Sequence, residues 1–186
     1  MILLASRSPQ RRALLGALGV AFRAVAPRAE EGDDPLANAR AKAREVAARA
    51  GVPRGGAVLG ADTEVILDGR VLGKPAGAAA ARRELRALSG RTHVVRSAVC
   101  VITQRGEREL VDDTRVTFRA LSEADIEDYV ATGEWRDRAG GYAIQGAGAA
   151  LVERIEGDES TVIGLPVERL RVLLEEVGLT ARDRGR

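Results

Sequence analysis

Apolar positions along this chain fall into short unbroken runs, which predict buried strands, and stretches repeating every three to four residues, which predict helices. Ile2 to Ala5 is the first such run, followed by the serine-rich turn Ser6-Arg7-Ser8 and a helix opening at Pro9. Ser8 is a good N-cap, and Pro9 suits the first helical position, where its missing N–H costs nothing. Phe22 to Ala26 reads as extended and leads into the acidic turn Glu30-Glu31-Gly32-Asp33-Asp34. Asp34, Pro35 and Gly51 delimit a helix over Pro35 to Ala50, with Leu36, Ala39, Ala43, Val46 and Ala50 on its apolar face and Lys42 beside it.

A further strand is expected at Ala57-Val58-Leu59, ending in Gly60-Ala61-Asp62-Thr63. Glu64 to Leu67 and Arg70 to Leu72 flank Asp68-Gly69, a two-residue hairpin signal, and Lys74-Pro75 follows directly. An alanine-rich helix runs from Ala78 to Leu88, and the stretches Thr92 to Thr103 and Arg108 to Phe118 read as two long strands. Ser122 with Asp125 forms a capping box for a helix ending near Thr132-Gly133. The loop Glu134 to Arg138 leads into a glycine-rich segment, Ala139 to Gly148, then a strand expected at Ala149 to Ile155 and a helix after Gly164-Leu165-Pro166. Strands and helices alternate with hairpins in the middle, so the class is mixed α/β. No repeat, low-complexity linker or domain boundary interrupts the pattern; one domain over 1–180 and a frayed tail over 181–186 are expected.

Composition narrows the function. Lys and Arg total 29 against 27 Asp and Glu, and aromatic residues are 3%, which gives neither an electrostatic case for nucleic acid nor a base-stacking platform. The opening apolar run lacks a basic flank, and no stretch approaches the roughly 18 to 20 apolar residues of a membrane span. A cytoplasmic protein with no membrane partner is expected. The single cysteine, Cys100, sits in the run Ser97 to Ile102 and reads as a buried structural thiol. His93, the single histidine, lies on an alternating strand and fits a structural residue better than a general base.

Polar clusters recur at the expected ends of apolar strands: Ser6 to Arg11, Glu30-Glu31, Asp62-Thr63, Lys74 and Gln145. Strand ends are where open α/β sheets build ligand sites. The first cluster outlines a phosphate site, with backbone N–H groups, a helix dipole and Arg11 or Arg12 facing an anion. The set holds basic groups for phosphates, carboxylates for a hard cation, and a Thr and a Gln able to read a base, which together suggest a nucleotide hydrolase. Each piece alone has a plainer explanation: a capped surface helix for Ser8 to Arg11, a turn cap for Asp62, a solvated acidic turn for Glu30-Glu31, and a solvated helix flank for Lys42. The absence of Gly-x-x-x-x-Gly-Lys-[Ser/Thr] excludes the common P-loop architecture.

Taken together, Leu4-Ala5-Ser6-x-Ser8-Pro9-x-Arg11, Gly60-Ala61-Asp62-Thr63, Gly73-Lys74-Pro75, Leu88-Ser89-Gly90-x-Thr92-His93, Ala139-Gly140-Gly141-Tyr142-x-Ile144-Gln145-Gly146 and Val162-x-Gly164-Leu165-Pro166 resemble, in order and spacing, the Maf family of nucleoside triphosphate pyrophosphatases. The resemblance implies an inosine triphosphatase-like α/β fold, an elongated mixed sheet flanked by helices with a nucleotide cleft between two lobes. It implies hydrolysis of a nucleoside triphosphate to monophosphate and pyrophosphate with a divalent cation, Mg²⁺ or Mn²⁺. By the same resemblance Asp62 is the general base, Ser8, Arg11, Lys42 and Lys74 bind phosphates, and Glu31 and Asp62 hold the metal. Gln10, Thr63 and Gln145 fall at positions associated with base choice. Thr63 and the Tyr-x-Ile-Gln pattern resemble the branch acting on dTTP and UTP, not the one preferring 7-methyl-GTP, and a homodimer is implied.

Two positions depart from the family pattern: Gln10 stands where arginine is common, and Arg138 where lysine is common. The first removes a charge at a specificity position; the second keeps the charge with different geometry. The alternative is a regulatory or nucleic-acid-binding protein acting in cell division or septum formation. Retention of Asp62, Lys74 and Glu31 favours the enzyme, because a binding protein needs no base beside a phosphate site.

Overall fold

The computed structural model describes residues 1–179; the tail expected to fray over 181–186 lies outside them. Strands β1 (Ile2–Ala5), β2 (Phe22–Val25), β3 (Ala57–Leu67), β4 (Arg70–Leu72), β5 (Thr92–Thr103), β6 (Gly106–Phe118) and β7 (Val152–Glu156) form one mixed sheet of order β2-β1-β3-β5-β6-β7, with β4 paired to β3. Helices α1 (Pro9–Ala17), α2 (Pro35–Ala50), α3 (Ala78–Leu88), α4 (Glu123–Thr132), α5 (Glu159–Ile163) and α6 (Val167–Glu176) accompany it, with 3-10 turns at Ala139–Gly141 and Gly146–Leu151. Among the described residues no helix is long and apolar enough to cross a membrane.

The chain divides into two compact units, each built from separate segments. Of the described residues, the first holds 1–62, 97–112 and 164–179; the second holds 63–96 and 113–163. No long linker marks the division because the chain crosses it within β3, β5 and β6, at 62/63, 96/97 and 112/113, and once more at 163/164, in the short connection between α5 and α6.

In the first unit β1 pairs parallel with both β2 and β3, and all four of its side chains are buried. That explains an unbroken apolar run where an alternating one would leave a face wet. Helix α1 begins at the Ser8 cap, whose Oγ accepts the Arg11 N–H, and α2 begins at the Asp34 cap, whose carboxylate accepts the Leu36 and Ala37 N–H groups. Ala39, Ala43 and Val46 of α2 pack with Leu3, Ala5, Val58, Ala98 and Cys100. On the same stripe α2 also buries Asn38 and Lys42, two polar side chains one turn apart.

Strand β3 differs from expectation: it does not end after Leu59 but continues through Asp62 to Leu67. Asp62 and Thr63 therefore sit inside a strand. Gly60 makes this possible, because a Cβ there would lie 2.1 Å from the Ala39 carbonyl oxygen and 2.8 Å from the Ala43 nitrogen. Without a side chain at 60 the strand passes directly against the α2 backbone, and α2 in turn supplies partners for a mid-strand acid.

In the second unit Asp68 and Gly69 both take positive φ, 51° and 77°, as the hairpin joining β3 to β4 requires. Helix α4 carries the expected capping box, closed by Ser122 and Asp125. Two boundaries differ. The strand expected from Ala149 begins at Val152, since Gly146–Leu151 coils as a 3-10 turn, and the turn after Glu156 opens a short helix, α5, with Asp158 accepting the Ser160 N–H. The core is an apolar cluster of Val65, Leu85, Val95, Phe118, Ile126 and Tyr142 with their neighbours. His93 is enclosed in it, 2% exposed, edge-on to Phe118 and Tyr142, with Nε2 2.6 Å from the Tyr142 hydroxyl.

Two outcomes are expected. Gly60→Ala should destabilise the protein by about 1–3 kcal/mol, the usual cost of overpacking, read as a lower denaturation midpoint in urea. An unchanged midpoint would mean that β3 and α2 are not in fixed contact. Burial pushes His93 down to about 4, and its buried Nδ1 has no hydrogen-bond partner among the described residues, so a charge there has nowhere to donate. Unfolded histidine titrates near 6.5, so between pH 6.5 and 4 the unfolded chain binds more protons and stability is lost as the pH drops, by about 3 kcal/mol over the window. His93→Gln should remove this slope, which the difference between the two unfolding-versus-pH profiles measures. Parallel profiles would show that His93 carries no such load.

Candidate active site

The close pass of β3 under α2 brings three charged groups of the first unit together. Lys42 Nζ lies 2.6 Å from Asp62 Oδ1 and 2.7 Å from Glu31 Oε1. Lys42 is only 4% exposed, so it is not the solvated flank its sequence position allows. Burying an ammonium is costly unless it is paired, and here one cation faces two carboxylates.

Asn38, unremarked in the sequence, completes the cluster. Its amide nitrogen donates to Asp62 Oδ2 at 2.9 Å and to the Gly32 carbonyl at 2.8 Å, while its Oδ1 accepts the Gly32 N–H at 2.7 Å. One side chain thus ties the acidic turn carrying Glu31 to the strand carrying Asp62. The signal available in the sequence is its spacing: Asn38 precedes Lys42 by one helical turn on an otherwise alanine-rich buried face.

The turn after β1 is tightly self-bonded. Ser6 Oγ accepts the Ser8 N–H at 3.1 Å, and Ser8 Oγ accepts the Arg11 N–H at 3.3 Å while donating to Gln10 Oε1 at 3.1 Å. The cap therefore uses one of the amides expected to face an anion, and Pro9 has none. Arg11 is half-buried and anchored by its Nε to the Gly164 carbonyl at 2.8 Å. Burial lowers its pKa, while Asp62 and Glu31 raise it. Arginine stays charged under such shifts, so Arg11 adds a second cation to the field of the two acids.

Ser8, Gln10, Arg11, Glu31, Lys42 and Asp62 all belong to the first unit. Thr63, Lys74 and Gln145 belong to the second: Thr63 is half-buried on β3, Lys74 is exposed after β4, and Gln145 is exposed at the head of the 3-10 turn Gly146–Leu151.

Two groups of side chains could be considered for a metal ion. Glu31 and Asp62 offer hard oxygen donors that converge on one point, now facing the Lys42 ammonium, and two carboxylates with substrate phosphates are the donor set Mg²⁺ favours. Cys100, Glu107 and Glu109 also lie close together. Yet Arg44 and Arg40 grip Glu107 and Glu109 with paired hydrogen bonds of 2.6–3.0 Å, and burial pushes the Cys100 thiol up to about 12. A protonated soft donor beside two neutralised carboxylates does not fit a hard cation.

Comparison with known proteins gives the family and the fold. The family model described as Maf-like protein matches residues 1–177. A Deinococcus radiodurans protein named dTTP/UTP pyrophosphatase is 45% identical, over 97% of this chain and 94% of its own length. One of the same name from Thermus thermophilus is 49% identical, over 93% of this chain and 92% of its own. Among solved structures, a HAM1 protein from Coxiella burnetii superposes with a TM-score of 0.55 at 20% identity, covering 94% of this chain and 98% of that one, a likeness of fold. The chain belongs to the Maf family.

Proposed function

We propose that this protein is a divalent-metal-dependent nucleoside triphosphate pyrophosphatase that converts dTTP and UTP to the monophosphate and pyrophosphate. The observation that carries the reading is the pair of carboxylates, Glu31 and Asp62, drawn together by one buried lysine beside Arg11. The relatives at 45% and 49% identity, named dTTP/UTP pyrophosphatases, supply the substrate class.

Water oxygen bonds to the α-phosphorus, the bond from that phosphorus to the bridging oxygen breaks, and pyrophosphate leaves with the electron pair. Asp62 orients the water and takes its proton. Lys42 and Asn38 each occupy one of its oxygens, but a carboxylate oxygen has two lone pairs, so each keeps one for the water. The same two donors fix the carboxylate in place, so little reorganisation accompanies the step. Glu31 and Asp62 would hold the cation, which when bound supplies charge neutralisation at the phosphates. Arg11, Lys42 and Lys74 stabilise the charge on the phosphate oxygens, with the Ser8 hydroxyl as a further contact.

Thr63, Gln145 and Gln10 select the base. Gln10 Oε1 accepts from Ser8, so what the side chain can offer a base is its amide nitrogen, a neutral donor where the commoner arginine would present a cation. The reading includes a cytoplasmic homodimer, whose oligomeric state sedimentation in solution measures.

With Mg²⁺ the purified protein should hydrolyse dTTP and UTP better than GTP or 7-methyl-GTP, and phosphorus NMR should show monophosphate and pyrophosphate as the products. A chelator should abolish turnover, and added Mg²⁺ or Mn²⁺ should restore it. Asp62→Asn should keep the fold and lower turnover by about 10²–10⁴-fold, the scale of general acid–base catalysis. Inorganic phosphate with a nucleoside diphosphate, or full turnover by Asp62→Asn, would contradict the reading.

A further inference from the structure

Gln145 is exposed, yet the backbone on both sides of it is held by side chains. Before it, the Tyr129 hydroxyl accepts the Ala143 N–H at 3.0 Å, and Tyr142 is fixed through His93. After it, Glu134 Oε1 accepts the Ala147 N–H at 3.1 Å and Oε2 the Gly148 N–H at 3.3 Å. The segment also closes on itself: a Cβ on Gly148 would stand 1.7 Å from the Ala143 carbonyl oxygen, a separation only glycine permits. The two outer anchors are one block, because Thr132 Oγ1 donates to the Tyr129 carbonyl at 2.6 Å and accepts the Glu134 N–H at 3.1 Å. Trp135 Nε1, bonded to the Val130 carbonyl at 3.0 Å, locks the same turn to the end of α4.

From this we infer that Tyr129 and Glu134 are positioning residues for base selection, which act through the backbone of 143–148 to hold the Gln145 amide where it discriminates between bases. The inference rests on the proposed role of Gln145. An amide distinguishes one base edge from another only if its donor and acceptor stand in fixed places, within about 0.5 Å of the productive geometry. A side chain on an unanchored glycine-rich loop would not meet that tolerance. Glu134 suits the task because an ionised carboxylate accepts at both oxygens and can grip two successive N–H groups at once. Glutamine has one such oxygen, and its NH₂ would face an N–H. Neither Tyr129 nor Glu134 has a role among the phosphate or metal groups, so their loss should be felt in the choice of base, not in the cleavage itself.

The test is kcat/KM for dTTP and for GTP, in the presence of Mg²⁺, for wild type, Gln145→Ala, Glu134→Gln, Tyr129→Phe and the double variant Glu134→Gln/Gln145→Ala. Glu134→Gln should reduce the dTTP-to-GTP ratio by about tenfold, mainly through a higher KM for dTTP, and the double variant should discriminate no worse than Gln145→Ala alone, the non-additivity of residues that act as a unit. Tyr129→Phe, which removes one hydroxyl from an otherwise intact core, should shift the ratio in the same direction and keeps the test open if Glu134→Gln folds poorly. A ratio altered by Gln145→Ala but by neither Glu134→Gln nor Tyr129→Phe, or additive losses in the double variant, would overturn the positioning role and leave the Gln145 reading intact. A ratio unchanged by Gln145→Ala would overturn the base-choice reading itself, and the positioning role with it.

Discussion

A lysine buried between two carboxylates is the constraint on which the first unit turns. Lys42 is 4% exposed, and an ammonium cannot be withdrawn from water to that degree unless opposite charge meets it at contact distance. Asp62 and Glu31 meet it at 2.6 and 2.7 Å, and the group of three carries one net negative charge, which places Arg11 on the favourable side of its field. The converse also holds. Two carboxylates that meet one ammonium also repel each other, and the lysine offsets that repulsion. The cluster is therefore a single object: removing the lysine leaves two crowded carboxylates without their cation, and removing either carboxylate leaves the buried ammonium with one anionic partner instead of two. It also concentrates the hard oxygen donors and basic groups that the proposed binding of a divalent cation and a triphosphate requires.

Steric detail elsewhere serves this contact. Gly60 has no side chain, so β3 can lie against the Ala39 and Ala43 backbone, and that approach sets the reach from Lys42 to Asp62. Asn38 then fixes the remaining oxygen of Asp62 and the turn at Gly32. In the second unit the design differs. An exposed glutamine stands on a segment whose backbone is bonded on either side, and the anchors come from the end of α4 and from the aromatic cluster around His93. One unit fixes charge; the other fixes the backbone on either side of a glutamine.

Helix caps and turns were the most legible features. Ser8-Pro9, Asp34-Pro35 and the Ser122/Asp125 box start helices as their side-chain chemistry requires, and Asp68-Gly69 turns the hairpin. These signals are local, so a single stretch of sequence contains the whole reason. The continuation of β3 through Asp62 was not legible, because a small-residue stretch with an acid reads as a strand end unless the helix covering Gly60 is known. Nor was the burial of Lys42, whose partner lies 20 residues away, or the part played by Asn38, an amide among alanines. The 3-10 turn before β7 was missed for a similar reason: Glu134, outside the segment, stabilises it. The two units, which only the family resemblance implied, have no linker to mark them because three of the four crossings lie inside strands.

The decisive question for the proposed chemistry is whether Glu31 and Asp62 together receive the cation. Binding of Mn²⁺ in the presence of a non-hydrolysable α,β-methylene analogue of dTTP, followed by electron paramagnetic resonance, measures this without turnover. Wild type should bind Mn²⁺, and Glu31→Gln should weaken that binding by about tenfold or more, since even groups behind the ligands are worth 10–100-fold. Glu109→Gln, which alters the carboxylate paired with Arg40, should leave it unchanged. Undiminished binding in Glu31→Gln, or a loss confined to Glu109→Gln, would contradict the account.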